Sequence, residues 1–195
     1  QSTYGTKGVF QGVSQGAGFG LRHLGSGGIG ILYDEAGQDR YSAGNFSQGT
    51  GYYYGLGILI DAGNGNDAYL GSRYCQGAAA HSAIGLFLDE AGNDRYRSMQ
   101  GACLAAAWDL SIAYALDYAG NDSYLFENNF FSVAEAAHNS LAVFYDKEGK
   151  DNYQISLTRS KKDNSYNGGE SLSMLIDTGK KKDSFPEFYT SDVNK

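Results

Sequence analysis

The sequence has little of what marks many functional classes. Its 195 residues include 1 proline, 1 tryptophan, 2 cysteines and 3 histidines. Two cysteines are too few for a disulfide scaffold or a cysteine-rich zinc site. Cations are outnumbered, with 15 Lys+Arg against 22 Asp+Glu and a net charge of −7. That balance speaks against a nucleic-acid groove built on phosphate neutralisation. No uninterrupted apolar run approaches the roughly 20 residues of a membrane helix, so no membrane span is expected. No serine sits in a Gly-x-Ser-x-Gly elbow with convincing partners, and no Walker or dinucleotide motif is present. The glycines of Gly16-Ala17-Gly18-Phe19-Gly20 lack the strand–loop–helix context that phosphate binding needs.

Glycine, by contrast, is abundant at 28 residues, and 16 Tyr and 10 Phe give an aromatic load typical of β-structure. Hydrophobic residues at 42 % and charged residues at 19 % support a packed core. The segments ILYDEAGQDRY, ILIDAGNGNDAY, LFLDEAGNDRY, YALDYAGNDSY, VFYDKEGKDNY and MLIDTGKKKDSF are one motif repeated six times. Its first aspartates are Asp34, Asp61, Asp89, Asp117, Asp146 and Asp177, spaced by 27, 28, 28, 29 and 31 residues. A second aspartate follows at Asp39, Asp67, Asp94, Asp122, Asp151 and Asp183. An aromatic stands two residues beyond, at Tyr41, Tyr69, Tyr96, Tyr124, Tyr153 and Phe185. A partial copy precedes these: Val13 to Phe19 echoes Phe46 to Tyr52 at a displacement of 33 residues, leaving room for a protruding loop around Leu21 to Gly28.

The columns of the repeat alternate with period two. One, three and five residues before the first aspartate the side chains are large and apolar, as in Ile60, Ile58 and Leu56. Four and six before it they are small, as in Gly57 and Gly55. Such alternation is a strand signature and outweighs the helical propensity of the alanine-rich stretches Gly101 to Ala107 and Val133 to Ala137. The expected fold is all-β: a parallel β-solenoid with ~28-residue rungs, six to seven of them, stacked at about 4.8 Å. Residues 1–28 form an N-terminal partial rung and loop, residues 29–185 the solenoid, and residues 186–195 a C-terminal cap. The large-residue columns are expected in the core and the small-residue columns on a flat outer face. Two residues before each aspartate runs an apolar ridge, Leu32, Leu59, Phe87, Ala115, Phe144 and Leu175. It either flanks that outer face or is internal to a coil with two packed layers.

The turn Asp-x-x-Gly-Asn-Asp-x-Tyr reads first as structure. Glycine supplies a left-handed backbone, Asn and Asp bond their own backbone, and the aromatic two residues on closes the corner as an inward ladder. Stacked rungs also bring aspartates about 4.8 Å apart, where like charges repel by roughly 1 kcal/mol even in water. A hard cation held by carboxylates would relieve that repulsion. The candidate calcium ligands are Asp34, Asp39, Asp61, Asp67, Asp89, Asp94, Asp117 and Asp122. Later turns are left out because Lys150 and Lys180 to Lys182 intrude. No other cofactor is expected.

Gly-Asn-Asp-x-Tyr resembles the second half of the calcium-binding nonapeptide of RTX toxins, although the period is 28 rather than nine and the leading double glycine is absent. From Gln48-Gly49 to Asp61 and Tyr69, and from Gln76-Gly77 to Asp89 and Tyr96, the chain resembles uncharacterised bacterial tandem-repeat proteins. The resemblance runs over about residues 11 to 153, implies the fold and carries no catalytic residues.

The most polar column lies eight residues before the repeat aspartate: Tyr53, His81, Asp109 and His138. Imidazole, carboxylate and imidazole on successive rungs suit ligand binding, a transition metal or acid–base work, which makes His81, Asp109 and His138 weak catalytic candidates. The bland reading is two histidines that hydrogen-bond an aspartate between them. Cys75 and Cys103 share a column one coil apart, and two stacked reduced thiols are favoured over a one-coil disulfide. The leading functional expectation is a non-enzymatic structural or adhesive module, extracytoplasmic (cell surface, periplasm or secreted). It would present its small-residue face to a protein or glycan partner or to another copy of itself. The alternative is a carbohydrate-active β-helix working along the Tyr53/His81/Asp109/His138 row.

Overall fold

The computed structural model describes residues 12–127, 131–155, 170–179 and 182–184. They form a parallel β-solenoid of about five turns spaced by ~28 residues, and no helix occurs among them. Each turn passes through three sheets. The long sheet stacks six strands, Ile29–Asp34, Leu56–Asp61, Ile84–Asp89, Ile112–Asp117, Leu141–Asp146 and Leu172–Asp177. The tyrosine sheet stacks Arg40–Ser42, Ala68–Cys75, Arg95–Cys103, Ser123–Phe126 and Asn152–Ile155. The narrow sheet stacks Gly18–Phe19, Gly51–Tyr52, Ala79–Ala80, Ala107–Trp108 and Ala136–Ala137. Register follows the repeat: Asp34, Asp61, Asp89, Asp117, Asp146 and Asp177 pair in succession along the long sheet. Gly18 pairs with Gly51 across the 33-residue displacement, and the exposed loop between is closed by a Leu21–Gly25 bridge. Phe185 and residues 186–195 lie outside the described residues.

The large and small columns are reversed relative to the expectation. In Leu56–Asp61 the buried positions are Gly57, Leu59 and Asp61, and the same alternation holds in the next three strands. The physical reason is the thinness of the coil at this point. A Cβ on Gly57 would lie 2.1 Å from the Thr50 carbonyl oxygen, and one on Gly51 would lie 2.1 Å from that of Ile84. Narrow and long sheets therefore meet backbone to backbone, and only small residues fit between them. The ridge is internal, with Leu59, Phe87, Ala115 and Phe144 buried in the main core. Large aliphatic columns face outward instead, leaving Ile29, Ile31 and Leu172 more than half exposed.

The tyrosine sheet supplies the other wall of the core. Tyr41, Tyr69, Tyr96, Tyr124 and Tyr153 are buried and stack with ring centroids 4.9, 5.1, 4.7 and 4.7 Å apart. Cys75 and Cys103 pair in this sheet and form a disulfide with Cα atoms 4.5 Å apart, which corrects the expectation of reduced thiols. That expectation assumed ideal parallel side-chain vectors. The pairing slips by one residue between Gly71 and Arg73, and each cysteine follows a residue in the left-handed region, Tyr74 or Ala102, so the two side chains turn toward one another.

Candidate metal centre

The end of each long-sheet strand and the start of the next tyrosine-sheet strand form a seam of carboxylates. Period-two alternation turns the strand's last residue, the first aspartate, inward, where Asp61, Asp89, Asp117 and Asp146 are 2 % exposed or less. Their Oδ2 atoms accept hydrogen bonds from the tyrosine ladder. Tyr41 donates to Asp61 at 2.8 Å, Tyr96 to Asp117 at 2.7 Å, and Tyr124 to both Asp117 and Asp146 at 2.9 Å. The second aspartate ties one rung to the next through Oδ1. Asp67 N–H donates to Asp94 at 2.6 Å, Asp94 N–H to Asp122 at 2.7 Å and Asp122 N–H to Asp151 at 2.7 Å.

These bonds leave one oxygen over on six of the carboxylates. Oδ2 of Asp67, Asp94, Asp122 and Asp151, and Oδ1 of Asp117 and Asp146, are buried and accept no hydrogen bond. The carboxylates converge in five trios whose ligand atoms lie within 4.8 Å of one another: Asp39/Asp61/Asp67, Asp67/Asp89/Asp94, Asp94/Asp117/Asp122, Asp122/Asp146/Asp151 and Asp151/Asp177/Asp183. A buried orphan oxygen facing other carboxylates costs free energy unless a proton or a cation meets it. Three carboxylates with no nitrogen or sulfur donor form a hard oxygen set, suited to calcium or magnesium rather than zinc. The seam could therefore hold metal ions.

Burial, and then the neighbouring carboxylates, raise the pKa values along the seam. Asp146 is pushed up to about 6 and Asp151 to about 7, chiefly by desolvation and against the hydrogen bonds they accept. Asp89, Asp94, Asp117 and Asp122 are raised for the same leading reason. The tyrosine hydroxyls are driven well up by burial, so they stay protonated as donors.

Two expectations about this turn are corrected. Gly37 in the first turn has a positive φ, but the turn glycines Gly65, Gly92, Gly120 and Gly149 do not adopt a left-handed backbone. They are glycine because of close approach. A Cβ on Gly120 would lie 2.0 Å from the Gly92 carbonyl oxygen and 2.5 Å from Asp122 Oδ1. The carboxylate rests on the bare Cα, and the Asn66, Asn93 and Asn121 side chains form a ladder beside it. Nor does the seam stop at Asp122. Lys150 and Lys182 point into solvent, and the trios continue through Asp146, Asp151, Asp177 and Asp183. The repeated column carried that signal, and the lysines obscured it. Of the candidate ligands, Asp39, Asp61, Asp67, Asp89, Asp94, Asp117 and Asp122 enter trios, whereas Asp34 joins none.

The polar column sits at the corner between narrow and long sheets, on pairs of left-handed residues such as His81-Ser82 and Asp109-Leu110. His81 Nδ1 lies 2.7 Å from Asp109 Oδ2, and His138 Nδ1 bonds the other oxygen, Oδ1. Each imidazole thus faces its own oxygen of one carboxylate rather than a shared point. Arg22, from the protruding loop, contacts His81 Nε2. Burial, then the Arg22 charge, lowers the His81 pKa. Tyr52 packs edge-on against His81, Trp108 lies 4.7 Å from His138, and Tyr53 packs on Tyr54. Arg22 was not foreseen; no spacing in the repeat marks a residue contributed by an irregular loop.

Comparison of the chain with protein-family models, with curated proteins and with solved structures gives no match in any of the three.

Proposed function

We propose that the chain is a non-enzymatic structural module of an extracytoplasmic protein, a calcium-loaded β-solenoid that presents a flat sheet to a partner. The observation that carries this reading is the fivefold recurrence of one acidic trio with buried, unpartnered carboxylate oxygens. Catalytic sites are built once, whereas a ligand set repeated on every rung serves the rod itself. Two further features favour an oxidising, calcium-rich compartment. The buried Cys75–Cys103 disulfide suits secreted and surface proteins. Extracellular calcium modules bind in roughly the 10⁻⁴–10⁻³ M range, where the ion is plentiful. Calcium is favoured over magnesium because it accepts irregular oxygen sets and sheds water readily. The resemblance to bacterial repeat proteins agrees with this setting. The presented surface is the aliphatic side of the long sheet, since the small-residue side is internal.

Thermal unfolding tests the reading. Millimolar calcium should raise the melting temperature above its value in chelator, by about 1–6 °C for each site filled at roughly 1–10 times its Kd. Magnesium should do much less. Identical curves in calcium and chelator would contradict calcium loading.

One observation favours a second reading, a carbohydrate-active β-helix: His81, Asp109 and His138 do meet, with Tyr52 and Trp108 rings beside them. Glycoside cleavage ordinarily needs two carboxyl groups, and this row offers only Asp109, so binding is its stronger form. A glycan array with a reducing-sugar assay separates the readings, since the structural module gives no released sugar.

A further inference from the structure

The outward side of the long sheet is unusual among the solenoid's faces. Its three columns place eighteen side chains outward from Ile29 to Ile176, and all are aliphatic, Met or Tyr. The outward side of the tyrosine sheet is polar by comparison, with Arg40, Arg95, Arg97 and Gln154 exposed. An aliphatic exterior is therefore not a general property of this coil. Six strands at about 4.8 Å and six residues at about 3.3 Å give a face on the order of 570 Å². That is the upper end of the roughly 300–600 Å² that monomers leave as their largest apolar patch.

We propose that this face is a dimerisation surface and that its occupant is the same face of a second copy of the chain. The inference rests on the choice of presenting face made above and names the partner for it. Three observations select a second copy. The first is area. Laying one face on another removes on the order of 1,100 Å², above the ~1,000 Å² a specific interface needs. The second is chemistry. No charged side chain stands in the three columns, so nothing there seeks a complementary charge on a different protein. Interfaces of this apolarity resemble a domain core cut in half, as in permanent homodimers. The third is period. The ridges repeat once per strand with unbroken register over six strands, and a surface with the same spacing interlocks with them. A second copy has that spacing by construction, and a twofold axis makes the contact self-complementary and closed. The product is a sheet-on-sheet sandwich about 10 Å between layers, a common way for sheets to bury an apolar side.

The test is sedimentation equilibrium of the full chain in millimolar calcium, with circular dichroism as the check on folding. Wild type is expected at twice the chain mass. Leu86→Arg, at the centre of the face, should weaken association at least 100-fold with the β spectrum intact. Gln154→Arg, exposed on the tyrosine sheet, should leave it unchanged. If Leu86→Arg does not fold, Ile58→Lys is read in its place. Wild type also reports on itself, because Tyr33, Tyr114 and Tyr145 stand on this face and should become protected from nitration as the dimer fills. A folded wild type that stays monomeric, a dimer that survives whichever of Leu86→Arg and Ile58→Lys is read, or tyrosines that stay reactive in the dimer would overturn the proposal. The calcium reading fails on melting curves and this one on masses and labelling, so the two failures are distinct.

Discussion

Along the aspartate seam the same three carboxylates recur five times, whereas the histidine corner assembles one carboxylate and two imidazoles once. Both regions lie on the same rungs and both use Asp. In the seam, carboxylate oxygens are buried and left over after every protein hydrogen bond is counted. At the corner both oxygens of Asp109 are engaged, and the group is about a third exposed. The seam therefore needs something from outside the chain, a proton or a cation, whereas at the corner each oxygen of the carboxylate already has an imidazole. Repetition alone does not make a site, since the tyrosine and asparagine ladders repeat and are self-satisfied. What marks the seam is repetition together with an unmet electrostatic demand.

The largest effect that would sharpen this contrast comes from the turn glycine. Gly120→Ala places a Cβ against the Gly92 carbonyl and the Asp122 carboxylate. Overpacking of this kind costs typically 1–3 kcal/mol. With backbone on one side, a loss of about 3 kcal/mol is expected, or about 6–12 °C in melting temperature for a chain of this size. Stability near wild type would mean that the close approach is not real.

A smaller effect, opposite in sign to ordinary acid denaturation, is expected from pH in the metal-free protein. The seam carboxyls hold protons more tightly folded than unfolded, with Asp146 raised to about 6 and Asp151 to about 7. Their contribution is fully present below about pH 4 and is lost as pH rises through that 6–7 range. Melting curves in chelator should therefore fall between pH 5 and 8, and calcium should flatten the fall. A metal-free protein that gains stability over this interval would contradict the buried, repelling carboxylates.

The smallest effect belongs to the corner. Asp109→Asn removes the charge that the two histidines share, and partly exposed pairs are worth about 0–1 kcal/mol. A melting shift below about 4 °C is expected, with calcium binding unchanged. A larger loss would make the corner a structural seam in its own right.

How much of this was legible in the sequence follows from which forces the residues report. Register was legible because identical side chains stack: Asp61 on Asp89 and Cys75 on Cys103 follow directly from the 28-residue spacing. So was the inward tyrosine ladder, because an aromatic at a fixed offset from the turn has one place to go. The sides of the long sheet were misassigned because hydrophobicity and burial point opposite ways there. Gly57 and Gly85 are interior for want of room, and Ile58 and Leu86 lie outside despite their apolarity. Layer separation is a tertiary quantity that a single strand's alternation does not encode. The disulfide was missed for a related reason: the slip at Gly71 and Arg73 shows as 27 residues from Tyr69 to Tyr96 against 28 from Cys75 to Cys103, but the side-chain directions it produces do not show in the spacing. In the seam, the lysines drew attention to charge along the chain, whereas side-chain direction decides the matter: Lys150 points out beside an inward Asp151.

The most direct measurement of the central claim is calcium stoichiometry by equilibrium dialysis at neutral pH, on wild type and on Asp117→Asn. Asp117 belongs to the middle trio with Asp94 and Asp122, and asparagine keeps its size while removing its charge. Wild type is expected to bind several calcium ions per chain, up to the five trios. Asp117→Asn should bind fewer, melting lower than wild type in calcium and higher than wild type in chelator, where one buried carboxyl whose ionisation is penalised is gone. A wild type that binds no calcium, or a variant that binds as many ions as wild type with its melting shifted the same way in both conditions, would contradict the account.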